Sequence, residues 1–528
     1  MVYGEDIIVQ EIMEQTYVKL SQRDHVYKLP DSYVGSVEKT TVQTVVVDAD
    51  GHIETKQIEY IPALYKIYDE VLVNAIDQFT RRFNKKHPVT RIDIDVTSDR
   101  ISITNNGLSI PLKRLALYDN VYAAELIFGE LLTSSNYNEN EQKVTGGKNG
   151  FGAKLANIFS TDFRVTTGSK KKKLELRWSD NMRHMHPMVL TPYEDQPYTQ
   201  VSFAPDFVRF GATGISADEI DLFRRRAWDT AAWTGNTVSV YFNGSLIECN
   251  NFASYASDIS PDKNIVHIHC NKHWEIAATT NDNEVFEHVS LVNGISTTAG
   301  GTHVNSVCSQ ISEHIASELT KKHKTKIKPS YVKNQLKIFV KSTIVNPSFD
   351  SQTKERLTTN PSKFGSKCIV KLSFIKRLMK DTDIEQRVMQ MVEYKDGKKL
   401  SKSDGRKTNR VKGIPKLCDA NKAGGRLSQK CTLILTEGDS AKTMAVAGLT
   451  EVGRDLYGVY PLRGKLLNVK DADYERIAKN SEITDLKKIL GLKEKVDYSK
   501  DALHGKTWPL RYGKIIIMTD QDVDGSHI

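Results

Sequence analysis

The chain has no run of about 18 apolar residues, so no membrane-spanning helix is expected. Its amino terminus, MVYGEDIIVQEIMEQ, has no basic region followed by an apolar stretch, so a secretory signal is not expected. The six cysteines (Cys249, Cys270, Cys308, Cys368, Cys418 and Cys431) are scattered, with no C-x-x-C pair and no zinc spacing. That argues against a cysteine zinc finger or a disulfide framework and for a reducing compartment with free thiols. No internal repeat is visible. What is present suits soluble globular cores: 39% apolar residues and a mean hydropathy of −0.43. A length of 528 residues suggests about three or four domains.

The formal net charge of +9 is modest, but basic residues cluster. Lys170–Lys173 is a four-lysine run, residues 321–328 read KKHKTKIK, and residues 395–416 read KDGKKLSKSDGRKTNRVKGIPK. Such stretches favour a polyanionic partner over a plain solvated surface.

Periodicity gives an alternating order of elements. Residues 1–60 mix short helical and loop signals. Residues 62–83 have helical apolar spacing, and RIDIDV and ISITNN alternate as strands. Residues 120–160 hold helical pieces around a glycine-rich loop. Residues 163–246 are strand-rich, with one helix near Ala217–Trp233. A second strand–helix unit is expected from about 250 to 385, with a crossover helix around Val304–Lys322. The basic stretch 395–427 reads as a linker or mobile segment, and CTLILT at 431–436 opens a new unit as a strand.

The last residues, TDQDVDGSHI, follow a β-branched run at Ile515–Met518 that reads as a buried strand. If the backbone stays extended, Asp520, Asp522 and Asp524 lie on one side of it and their carboxylates converge. Like charges so close call for a hard divalent cation, which points to magnesium. Two alternatives stand beside it: the first half of an EF-hand calcium loop, and a plain acidic turn.

A second constellation sits earlier. Glu70, Asn74 and Asp77 fall at i, i+4 and i+7 of the helix at 62–83, on one face. Acids and amides on an apolar face are costly to bury without partners. The strand ISIT ends in the polar turn NNGLSIP (105–111). TGGKNGFGAK (145–154) is a glycine-rich loop leading into a helix, suited to phosphates but not a Walker A sequence.

In this order, the helix with Glu, Asn and Asp, the NNG turn, SSN and GGKNGFG resemble the GHKL ATPase fold. LLTSSNY (131–137), NPS with FDSQTKE (349–355), TEGDSAK (436–442), PLRGKLLNV (461–469) and TDQDVDGSHI narrow the likeness. Together they resemble eukaryotic-type DNA topoisomerase II of the type IIA class, over nearly the whole chain.

The resemblance implies an α/β (α+β multidomain) architecture. Residues 1–247 would be a GHKL ATPase sandwich with an N-terminal arm, and 248–385 a ribosomal-S5-like transducer. Residues 386–427 would be a basic linker, and 428–528 a partial, doubly wound TOPRIM domain. It implies ATP and Mg2+ as cofactors, double-stranded DNA as partner, a homodimer closing through an ATP-dependent gate, and no membrane. Glu70 would be the general base that activates water, and Lys354 a cation on the γ-phosphate. Asn74 would be a magnesium ligand, and Asn105 would contact adenine. Ser134, Ser135 and Asn136 would contact the nucleoside. Gly147, Lys148, Asn149, Gly150, Phe151, Gly152, Ala153 and Lys154 would cradle phosphates. Asp77, Gln352 and Thr353 complete the expected nucleotide set, and Tyr17 would reach the partner subunit's nucleotide. Glu437, Asp520, Asp522 and Asp524 would hold the TOPRIM metal, with Lys442 and Arg463–Lys465 near DNA phosphates. No tyrosine here matches the family's nucleophile, which is expected beyond Ile528.

The chain departs from the family pattern in places. Gln78 stands for Asn, Ser109 for the second glycine after NNG, Lys148 for Arg and Phe151 for Tyr; Cys418 and Lys422 stand where Asp is usual. These departures suggest a divergent member, with nuclear or viral location as the corresponding expectations. Two other classes stay open: a bacterial-type gyrase or topoisomerase IV B subunit, and a non-cleaving GHKL clamp. The TSSNY, FDSQTKE and IPKL wording disfavours the first, and the acid cluster disfavours the second.

Overall fold

The computed structural model describes residues 19–81, 87–133, 143–147, 150–249, 251–261, 263–401, 404–411, 413–470, 472, 474–499 and 507–528. These form two compact units. The first comprises residues 1–318 and 328–384, and the second residues 319–327 and 385–528.

Among the described residues, the first unit contains two large sheets and two two-stranded ones. The larger is nine-stranded and built around a path on which Ser160–Gly168, Tyr198–Pro205, Ile101–Asn106 and Arg91–Val96 are consecutive neighbours. Its pairings are antiparallel except where Ser239–Phe242 runs parallel to Arg91–Val96. Strict alternation buries one side of each central strand: Ile101 and Ile103 are buried, and so are Ile92, Ile94 and Val96. The helix Pro62–Thr80 packs against Gly152–Ile158 and Ala217–Thr234. Pro62 pre-sets the first turn, and thirteen of this helix's residues are buried, eight of them in the apolar core it shares with the sheet. Ser216 and Glu219 form a capping box that starts Ala217–Thr234.

The smaller sheet orders Val266–Asn271, Trp274–Thr280, Leu336–Ser342, Glu287–Val292 and Ile295–Ser296. Glu287–Val292 and Leu336–Ser342 are parallel, and the helix Thr302–His323 lies between them in the chain. This is the crossover that a parallel pair requires. Trp274–Thr280 is buried along its whole length because strands flank it on both sides.

In the second unit, Thr432–Glu437 lies between Tyr457–Leu462 and Lys514–Met518, parallel to both. The helix Gly438–Val452 connects the first pair, as in a doubly wound α/β unit.

Three elements differ from the sequence expectation. Thr40–Val47 and Ile53–Tyr60 form an antiparallel hairpin within a region read as helix and loop. The basic stretch is helical through Ser401, as the end of Ile384–Ser401. Beyond it, Ile414, Ala420 and Ala423 enter the second unit's core. Ile515, Ile516 and Ile517, expected to be buried, are about half exposed, because their strand lies at the sheet's open edge.

Candidate nucleotide site and carboxylate centre

The polar face of Pro62–Thr80 opens on a cavity of about 180 Å³ in the first unit. Glu70, Asn74, Asp77, Asn105, Gly147, Gly150, Gly152, Ala153, Lys154, Gln352 and Lys354 all line it. Eleven sequence-expected residues from four separate segments thus meet in one place. Phe151 and Thr353 do not line it. Phe151 instead packs its ring 5.6 Å from that of Tyr33, and the Thr353 hydroxyl is 2.7 Å from that of Ser351. Tyr17, Ser134, Ser135, Asn136, Lys148 and Asn149 lie outside the described residues.

Glu70 is 2% exposed. Lys354 Nζ donates to both of its oxygens, at 2.8 and 3.0 Å. Lys66 Nζ is 2.9 Å from Oε1. Both lysines are also buried. Burial opposes charge on Glu70, but Lys354 and Lys66 outweigh it, and the carboxyl is held below its ordinary range. On Lys66, burial opposes the charge but Glu70 and Asp69 hold the ammonium above its ordinary value. Arg226 anchors Asp69 through Nε at 2.7 Å. Lys66 is a functional candidate that sequence reasoning missed. Its signal was available: a lysine four residues before Glu70, on a face otherwise buried.

Lys354 reaches Glu70 from a tight loop. Its backbone φ is +63°, a left-handed value rare for a side-chain-bearing residue. Its N–H donates to Ser351 O at 3.3 Å.

Asp77 accepts the N–H groups of Gly146 (2.7 Å) and Gly147 (2.9 Å), tying the glycine loop to the helix. Burial nevertheless pushes its carboxyl up. Lys154 donates to the carbonyls of Thr133 and Gly150, both at 2.7 Å. Desolvation lowers its ammonium to about 8, and the Glu130 carboxylate offsets this only in part. Gln78 Nε2 donates to Leu108 O at 2.6 Å, so this departure from the family pattern still holds the NNG turn. Asn105 is buried, while Asn106 accepts from the N–H groups of Thr90 and Arg91 and builds the turn itself.

Two observations are compatible with nucleotide and metal use at this cavity. Asn74 is exposed within a buried run of the helix, which leaves an amide oxygen available to a hard cation. A methyl group at Gly152 would sit 3.0 Å from Glu70 Oε2 and within 3.8 Å of the Asn74 amide. Glycine there keeps that cradle clear.

In the second unit, the carboxylates do not line up as expected. The strand ends at Met518. Asp522 caps the short helix Val523–His527, its Oδ1 accepting from Gly525 N at 2.7 Å. The cap turns the chain, so the two-residue alternation ends there. Asp524 falls in the helix's first turn and pairs with Lys465 at 2.7 Å. Lys465 holds the Asp524 carboxyl below its ordinary range. Asp520 N donates to Glu437 Oε2 at 3.2 Å, which brings the two strand ends together. No three of Glu437, Asp520, Asp522 and Asp524 bring carboxylate oxygens within 4.8 Å of one another. The all-oxygen donor set still suits magnesium. An EF-hand loop is disfavoured, because a strand precedes the acids and a helix begins at Val523.

The DNA gyrase B family profile matches residues 249–408, and the Toprim domain profile matches residues 432–528. The chain is 45% identical over 530 residues to DNA topoisomerase 2 of Drosophila melanogaster, covering 98% of this chain and 36% of that protein. It therefore spans about a third of the length of the curated relatives it matches. The solved ATPase region of Saccharomyces cerevisiae topoisomerase II is 38% identical, with a TM-score of 0.67. The match covers 72% of this chain and 99% of that one. The ATPase and transducer domains of DNA topoisomerase II from Balamuthia mandrillaris match at 37% identity and a TM-score of 0.68, over 72% and 98% of the two chains.

Proposed function

Because this chain belongs to the DNA topoisomerase II family, we propose that it supplies the ATP-operated gate of an ATP-dependent, double-strand-passing topoisomerase, together with part of its magnesium-dependent cleavage centre. One observation carries the reading: a buried glutamate, gripped by a lysine from a distant loop, borders a cavity whose wall includes a glycine-rich loop.

Glu70 is the general base. It accepts a proton from water aimed at the terminal phosphate. Lys354 is the cation that stabilises charge on that phosphate during transfer. As long as Lys354 and Lys66 both hold Glu70, its basicity is suppressed. When the phosphate engages Lys354, Glu70 keeps one cation and becomes a stronger base. Gly147, Gly150 and Lys154 hold the phosphates, and Asn105 faces the base. Ser134, Ser135, Asn136, Lys148 and Asn149 belong to the same nucleotide set, with Gln352 and Thr353 placing Lys354. Magnesium, held by Asn74, would offset the charge of the triphosphate oxygens. In the cleavage centre Glu437, Asp520, Asp522 and Asp524 would hold magnesium, which would stabilise the leaving sugar oxygen.

The domain limits follow the family: nucleotide domain 1–247, transducer 248–385, basic segment 386–427 and TOPRIM 428–528. The partners are duplex DNA and a second copy of the chain, joined when ATP binds. A nuclear setting goes with the family, and among the described residues no helix is long and apolar enough to cross a membrane.

Replacing Glu70 with Ala is expected to abolish phosphate release while nucleotide binding, measured separately with a fluorescent ATP analogue, persists. Brisk turnover by that variant would overturn the assignment of the base. Lys354→Ala is expected to slow turnover strongly, and unchanged turnover would remove Lys354 from the site.

A further inference from the structure

We propose that His267, His269 and Glu275 form a binding site for a first-row transition-metal ion such as zinc, separate from both magnesium centres. Among the described residues, the strand Val266–Asn271 is the edge of the five-stranded sheet and pairs only with Trp274–Thr280. Residues two apart on a strand share a face, so His267 and His269 project together. Glu275 faces His269 directly across the ladder.

The donor atoms already crowd one point. His267 Nε2 is 2.8 Å from Glu275 Oε1, and His269 Nε2 is 3.3 Å from the same oxygen. The three ligand atoms all lie within 4.8 Å of one another. A tetrahedral zinc ion with bonds of about 2.0 Å sets its ligand atoms about 3.3 Å apart. The side chains therefore need only small movements to admit an ion. Two imidazole nitrogens and one carboxylate oxygen are also a donor set that suits such a metal, whereas magnesium prefers oxygen alone.

The surroundings favour a built site over a chance cluster. Glu275 is 9% exposed, and a buried carboxylate needs compensating charge. Lys341 stands 3.6 Å from the other oxygen, Oε2, and leaves Oε1 to the histidines. Lys341 also donates to Ala232 O at 3.0 Å, which fixes the carboxylate from behind as an outer-shell partner does. His269 is largely exposed, so the fourth position opens to solvent. Without a metal, both rings must present Nε2–H to a single oxygen. An ion bound at both Nε2 atoms takes the place of those protons, which move to Nδ1 of the same rings.

Equilibrium dialysis of the full chain against zinc, in excess magnesium to fill the oxygen-only sites, tests this. One zinc per chain is expected. His269→Ala, at an exposed position that leaves the fold intact, is expected to weaken binding at least about tenfold, and His267→Ala with His269→Ala to abolish it. Cobalt(II) at the same site is expected to give the visible band of a four-coordinate ion with nitrogen and oxygen ligands. Zinc binding that is undiminished in the double variant would overturn the proposal, as would no binding by the unaltered chain. A cobalt–thiolate charge-transfer band would implicate Cys270 and overturn the ligand set.

Discussion

Glu70 carries a full charge where almost no water reaches it, and two lysines within 3.0 Å keep it there. Removing one partner of a buried ion pair strands the other. Lys66→Ala is therefore expected to destabilise the first unit by about 3 kcal/mol, read from urea unfolding at neutral pH. The folded Glu70 carboxyl is depressed, so its contribution is fully present above the ordinary glutamate value of about 4.3 and is lost as pH falls through the lower folded value. With Lys66 gone the depression shrinks, and the acid loss of stability moves to higher pH. Helical spacing placed Glu70, Asn74 and Asp77 on one face, but only the NNG turn and the glycine-rich loop beside them marked that face as a candidate site. Lys354 was not legible, because nothing local marks a loop lysine that travels to a distant helix; only the resemblance placed it. Asp522 misled for the opposite reason. Its own side chain caps a helix, and the strand-like alternation ended at that residue.

Asp77 ties Gly146 and Gly147 to the helix Pro62–Thr80, and Lys154 ties the helix Gly152–Ile158 to Thr133 and Gly150. Lys154 is charged below about 8 and neutral above it. Nucleotide affinity is expected to weaken as pH rises through about 8, and Lys154→Ala to flatten that dependence; fluorescence titration across this range measures both. The long, periodic helices were visible in the sequence, since Pro62–Thr80 and Ala217–Thr234 repeat their apolar residues at helical spacing. The Thr40–Tyr60 hairpin was missed although its signal was present, as Asp50-Gly51 sits between β-branched strands. The basic stretch misled because lysine-rich composition says nothing about the apolar residues between the charges. Ile414 and Ala420 are what dock it.

At the scale of the whole molecule, and on the proposed reading, the basic segment 321–328 is the candidate contact for duplex DNA. Lys322 and His323 already share Glu385, at 2.7 and 2.8 Å. Lys324, Lys326 and Lys328 are exposed. Changing those three to Glu is expected to weaken duplex binding uniformly across sequences. It should also reduce the slope of log affinity against log salt by up to about 3, as measured by fluorescence anisotropy. The architecture itself was readable as an order of motifs, but the relation between distant segments was not. The Lys354–Glu70 contact joins positions 284 residues apart. ATP, on the proposed reading, meets a latch that is already shut. It must take Lys354 from an internal competitor rather than fill a vacant socket. A nucleoside diphosphate has no third phosphate to offer in exchange, so the resting chain can tell fuel from spent product before a second subunit or DNA takes part.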